Sequence, residues 1–321
     1  MKTMKWLLRR EFWENKGSLY WAPIIVAGIM LLIFGGAMVY GLTSHGISAQ
    51  FAGQELHGAA FFNKLPAARK AEIINGIASG FLTFSAPLFA MLSFTTFFYC
   101  LGALYNERSD RSILFWKSLP ASDQMTVLSK VLTATCVAPL ITIAVGTVMS
   151  FVLLMFFCVA FATQGINILL PVLASSKLYL APLHLIGLLP VYVVWALPTI
   201  GWLLLVSSWA RSKAFVWAVG APLVAIAIVR LVDFLLGDTL HLDWFPREVV
   251  ARGLGGLTPG IWFMLDHSVW DAAAHRGQFN TGAIISQSWM TLYNVGVWGA
   301  AAAGVLMIAV ATRLRRWRDE G

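Results

Sequence analysis

An all-α polytopic membrane protein is the fold class this sequence predicts, and three observations predict it. The 321-residue chain is 59% hydrophobic and only 12% charged, with a mean hydropathy of +0.74, a balance outside the soluble classes. Apolar runs near or above about twenty residues recur, each long enough to cross about 30 Å of hydrocarbon as a helix. The Lys and Arg residues behind the net charge of +8 cluster beside these runs. They form no stripe of the kind that binds nucleic acid, so they mark membrane topology.

The chain opens on a predicted interfacial helix over 1–18. Met4, Leu8 and Phe12 fall at helical spacing, while Lys2, Arg9 and Lys16 recur on another face, a pattern suited to lying among anionic headgroups. The apolar run that follows is long for a signal-peptide core and lacks a small-x-small cleavage site, so it is expected to remain as a span. Six spans are predicted, at roughly 19–42, 77–104, 128–161, 179–208, 214–236 and 290–311, making one transmembrane domain of residues 1–321.

Orientation follows from the basic residues of the connecting segments. Lys2, Lys5, Arg9, Arg10 and Lys16 share one side with Arg108, Arg111, Lys117 and Lys130, then Arg211 and Lys213, then Arg313, Arg315, Arg316 and Arg318. The opposite side carries the smaller share: Lys64, Arg69, Lys70, Lys177, Arg247, Arg252 and Arg276. Both termini and the loop at 105–127 are therefore expected in the cytoplasm.

Two outer segments are expected. Residues 43–76 are polar, with Asn63-Lys64-Leu65-Pro66 leading into an amphipathic helix to Asn75. Residues 237–289 are slightly acidic, and their apolar piece from Gly255 to Leu265 is too short to cross, which suits a re-entrant or interfacial segment. Pro87, Pro139, Pro190, Pro198 and Pro222 lie inside spans, where neighbours must satisfy the carbonyls they free. Gly296, Ala300 and Gly304 make a small-xxx-small seam for close packing, within the chain or between two chains.

Few residues suggest covalent chemistry. Cys100, Cys136 and Cys158 lie inside apolar runs without disulfide or CxxC spacing and read as buried apolar residues. Asp266, His267, Asp271 and His275 form a loose outer cluster that matches no closed metal-ligand set. Arg230 and Asp233, three residues apart near the outer end of the fifth span, have the spacing of an intramembrane ion pair. There is no GxSxG and no GxxxxGK[ST], so no cofactor is expected in this chain, and ATP, if used, is bound by another polypeptide.

The densest charge mixture falls in the loop Asn106-Glu-Arg-Ser-Asp-Arg-Ser-Ile-Leu-Phe-Trp-Lys-Ser-Leu-Pro-Ala-Ser-Asp123. Phe115 and Trp116 can dock in a groove of a partner while Glu107, Arg108, Asp110 and Arg111 steer it. Pro120 breaks the chain before Ser122, an N-cap residue, and Asp123, an acid in the first turn of the next helix. A solvated loop with interfacial aromatics competes with this reading.

This stretch resembles the loop before the third span of bacterial type-2 ABC transporter permeases, whose members carry a similar ER-x-D-x-(S/T)-I-L-F-W-K-S-L-P-x-S-D run. The resemblance implies a bacterial inner-membrane permease subunit of an exporter, working as a dimer with a second copy or a related permease. Two copies of a separate ABC ATPase would bind ATP and Mg. It further implies that Glu107, Arg108, Asp110, Arg111, Phe115, Trp116, Lys117, Leu119 and Pro120 transmit motion from that ATPase. The long segment 43–76 departs from compact members of the family. Two other functions fit the composition: a membrane enzyme acting on lipid-linked substrates through the outer Asp and His residues, and an ion-driven secondary transporter using Arg230 and Asp233.

Overall fold

The computed structural model describes residues 2–44, 48–51, 54–57, 59–110, 122–237, 242, 244–265 and 281–317. Six of its helices are long and apolar enough to cross a membrane: Gly17–Gly41, Ala67–Ser109, Asp123–Thr163, Ser176–Trp209, Val216–Leu235 and Val295–Trp317, here spans 1 to 6. This is the architecture of a multi-pass helical membrane protein. An N-terminal helix, Lys2–Glu14, precedes span 1, and Ser48–Phe51 pairs with Gln54–His57 as a short antiparallel hairpin, Ser48 opposite His57.

Several boundaries move. The helix expected to stop at Asn75 runs from Ala67 to Gly80 and continues through a tighter turn, Phe81–Ser85, into Ala86–Gly102. With no proline between Pro66 and Pro87, the helix runs on and its apolar residues extend the second span. Span 4 is divided at Leu188, ahead of Pro190, into Ser176–Gly187 and Leu189–Trp209.

The prolines explain the irregular turns. Widened π-type turns at Gly17–Trp21, Thr133–Val137 and Val216–Gly220 each end two residues before a proline: Pro23, Pro139 and Pro222. A proline ring clashes with the carbonyl four residues earlier and offers it no N–H, and a wider turn relieves both problems. At Pro222 the abandoned carbonyl belongs to Ala218, and the Trp202 indole N–H donates to it at 2.9 Å.

The chain forms two compact units. One comprises Tyr20–Phe89 and Leu140–Gly187. Its interior is apolar, with Phe81, Leu154, Cys158, Ile168 and Leu178 in one cluster and Ala27, Leu88, Met149 and Leu153 in another. The second unit comprises Met1–Leu19, Ala90–Pro139 and Leu188–Gly321. Its core joins Tyr99, Leu104, Val127, Ile200, Leu203 and Leu257.

Within the second unit spans 4 and 6 cross in backbone contact. A Cβ on Gly201 would land on the Gly304 carbonyl, and one on Gly304 would land on the Leu197 carbonyl. Glycine is what permits this approach. Gly304 therefore packs within the chain, while Ala300 faces a cavity described below.

The described residues 244–265, between spans 5 and 6, pack against span 4. Phe245–Ala251, Arg252–Gly255 and Ile261–Leu265 are helical. Gly256 N donates to Thr199 Oγ1 at 3.1 Å, and Thr199 Oγ1 donates to the Arg252 carbonyl at 3.2 Å. A side chain at Gly256 would strike the Trp195 carbonyl. Trp262 is buried against Trp195, and its indole N–H donates to Ser288 Oγ at 2.9 Å. Leu257 reaches the core shared with Tyr192 and Ile200, so the piece from Gly255 to Leu265 is seated against the middle of span 4.

Candidate functional site

The two ends of the charged loop meet inside the second unit, at a buried ionic cluster. Four stretches build it: the N-terminal helix, the end of span 2, the start of span 3 and the last turns of span 6.

The N-terminal helix presents Leu7 and Glu11, each 1% exposed, one helical turn apart on its inner face, while Trp6 and Trp13 remain exposed. Met4, Leu8 and Phe12 flank this face and are half-buried. An acid at the centre of an apolar face needs a partner. Glu11 has two: Lys130 Nζ at 2.9 Å from Oε1, and the Tyr99 hydroxyl, which donates to Oε2 at 2.8 Å.

After Gly102 span 2 makes a turn and continues as the short helix Tyr105–Ser109. Ser207 of span 4 fixes this turn, its Oγ accepting from Leu104 N at 3.0 Å and Tyr105 N at 2.9 Å. Arg108 is buried and donates to the carbonyls of Ser207 and Ala210 at 2.7 and 2.8 Å. It therefore satisfies the C-terminal carbonyls of span 4, where a cation also complements the helix dipole.

Glu107 is the hub. Lys130 Nζ lies 3.0 Å from Oε1, Arg10 Nη2 3.3 Å from Oε1, and Arg315 Nη2 3.1 Å from Oε2. Span 3 begins with Ser122 as N-cap, its Oγ accepting from Met125 N at 3.3 Å. Asp123 in that first turn lies 3.2 Å from Arg315 Nε and 3.6 Å from Arg316 Nε. Arg10 also reaches back to Glu14 at 2.8 Å.

The charges balance: buried Glu11 and Glu107 and half-buried Asp123 against Arg10, Lys130 and Arg315. A neutral, multiply bonded cluster is the form in which buried charge is tolerated, because each partner offsets the desolvation of the others. Removing one member leaves an uncompensated charge. Arg108 and Asp123, at the two ends of the charged stretch, are both tied down within this unit.

The sequence-predicted residues divide accordingly. Glu107 and Arg108, expected at the surface as steering charges, face inward: their exposures are 8% and 7%. The physical reason is that the opposite charges and bare carbonyls they need lie within the chain. Asp110 is exposed. Arg111, Phe115, Trp116, Lys117, Leu119 and Pro120 lie outside the described residues, as do Asp266, His267, Asp271 and His275. Asp233 is buried, and its Oδ2 accepts from Leu242 N at 3.3 Å. Arg230 is exposed, and no Arg230–Asp233 pair occurs among the ion pairs of the described residues. The carboxylate caps backbone instead.

Sequence reasoning missed Glu11, Tyr99 and Ser207 as members of the site. The available signal was Glu11 itself, an acid one turn from Leu7. In the sequence Lys130 and Arg315 stand out only as topological charges. Among the described residues no group of three or more His, Cys, Asp and Glu side chains is placed to hold a metal ion. Comparisons with protein-family models, characterised proteins and solved structures find no match to this chain.

Proposed function

We propose that the chain is the membrane-spanning subunit of an ATP-driven ABC exporter, moved by a separate nucleotide-binding subunit that presses on residues 105–123. The observation that carries this reading is the ionic cluster at the base of that loop. A loop that merely connected two spans would not need both ends tied to the N-terminal helix and to span 6 by buried charge. A loop that receives force needs such an anchorage, because force on a flexible segment dissipates unless its ends are fixed to rigid elements.

In this reading the loop's own side chains, with Phe115 and Trp116 as apolar anchors, sit in a cleft of the ATPase. The buried Glu107, Glu11, Lys130 and Arg315 are its internal relay. The chain does no covalent chemistry; ATP and Mg belong to the partner. Both termini and the loop lie in the cytoplasm by the distribution of Lys and Arg. A second permease chain completes the transport pathway.

Purification from native membranes in mild detergent tests the proposal. A nucleotide-hydrolysing polypeptide is expected to accompany the protein and to be lost from the Trp116→Ala, Arg111→Ala double variant. Purification of the chain without any ATPase would refute it.

A further inference from the structure

The second charged site of this unit lies at the far end of span 6 from the termini. Arg252 is 7% exposed, and its guanidinium stacks on the Trp195 ring at 4.7 Å. Nη1 donates to the Gly296 carbonyl at 3.2 Å, and Nη2 lies 3.0 Å from Glu248 Oε2. Glu248, in contrast, is 45% exposed at its side chain. Burying an arginine is costly and needs such partners.

Beside this pair lies a cavity of about 660 Å³ between spans 4, 5 and 6, in the size range of ligand sites. Apart from Arg252 and Glu248, its walls are apolar or small, among them Pro198, Trp202, Pro222, Ala300 and Met307. The cavity is elongated. From Gly296 beside Arg252 to Met307 at its other end, span 6 advances about 16 Å at a rise of about 1.5 Å per residue. It opens past Ala303 and Val249, both exposed, between spans whose exposed side chains include Leu223, Val224 and Leu306. The medium beside such faces is hydrocarbon.

A long apolar slot with one polar end matches one acyl chain with its headgroup at Arg252. The charges at that end define the headgroup: the Nη N–H groups that the Gly296 and Glu248 contacts leave over for a phosphate oxygen, and an exposed carboxylate for an ammonium. An acidic headgroup would be attracted to Arg252 and repelled by Glu248. We propose that this cavity binds one membrane aminophospholipid, its acyl chain between spans 4, 5 and 6, its phosphate on Arg252 and its primary ammonium on Glu248. The proposal does not depend on coupling to an ATPase.

Native mass spectrometry of the full chain, released from nanodiscs of equal phosphatidylethanolamine and phosphatidylglycerol, tests this. One retained phosphatidylethanolamine per chain is expected. Ala303→Phe, which fills the slot from an exposed position, is expected to lower its occupancy at least about tenfold. Ala225→Phe does the same from span 5 and decides the matter should the first variant fail to fold. Glu248→Gln is expected to shift retention toward phosphatidylglycerol. No retained lipid, a preference for phosphatidylglycerol in the unmodified chain, or unchanged retention in a folded slot-filled variant would overturn the proposal.

Discussion

Span 6 ends in an arginine site at each extreme, and the two are built on opposite plans. Near the termini, Arg315 joins a cluster in which three acids, Glu11, Glu107 and the half-buried Asp123, meet Arg10, Lys130 and Arg315. At the far end, Arg252 has a single carboxylate, a ring and a carbonyl, and adjoins open space. The first site meets its charges with several carboxylates and closes on itself. The second pairs its arginine with one acid that is half in solvent, beside a cavity. The same residue type thus sits in two settings, one enclosed among counter-charges and one at the edge of open space.

Substitutions sharpen this contrast. The largest effect is expected at the hub: Glu107→Ala removes the carboxylate shared by Arg10, Lys130 and Arg315, leaves an excess of buried positive charge, and should destabilise the fold by about 3–5 kcal/mol, read as a fall in the thermal unfolding midpoint in detergent. Adding Lys130→Met should recover part of that loss, because the pair is coupled and the effects are not additive. Additive losses would mean that the cluster is a set of independent contacts.

A smaller effect is expected at the helix crossing, where Gly304→Ala places a methyl group on the Leu197 carbonyl and should cost about 1–3 kcal/mol by the same assay. Trp202→Phe removes the indole N–H that satisfies the Ala218 carbonyl and should cost about 1–2 kcal/mol, the penalty of an unpartnered acceptor. The smallest belongs to exposed Asp110, where Asp110→Asn should stay within about 0.5 kcal/mol. If Asp110→Asn destabilised as strongly as Glu107→Ala, the inward and outward halves of the motif would not differ as described.

Much of the helical layout was legible in the sequence because a span is a local property: about twenty apolar residues announce themselves wherever they pack. Span 1 illustrates this, its predicted bounds differing from the helix by a few residues. The site was less legible. Glu107 and Arg108 were visible as charges, but whether they face a partner or their own chain depends on Glu11, Lys130 and Ser207, which are distant in sequence. Arg252 was hidden for another reason. It lies in the outer segment 237–289, just before the short apolar piece, and reads as a loop charge, until Gly256 and Thr199 bring that stretch against span 4. Conversely, the spacing of Arg230 and Asp233 suggested a pair, yet spacing gives proximity without direction, and Asp233 turns to the Leu242 amide.

The central claim is that residues 111–121, anchored by the ionic cluster, press against an ATP-binding protein. A photo-cross-linking amino acid at position 115, activated in native membranes, tests it most directly. The expected product is a covalent adduct with a polypeptide that contains a P-loop and binds a labelled ATP analogue, its yield falling when Glu107→Ala disturbs the anchorage. Adducts confined to lipid or to a second copy of this chain would contradict the claim.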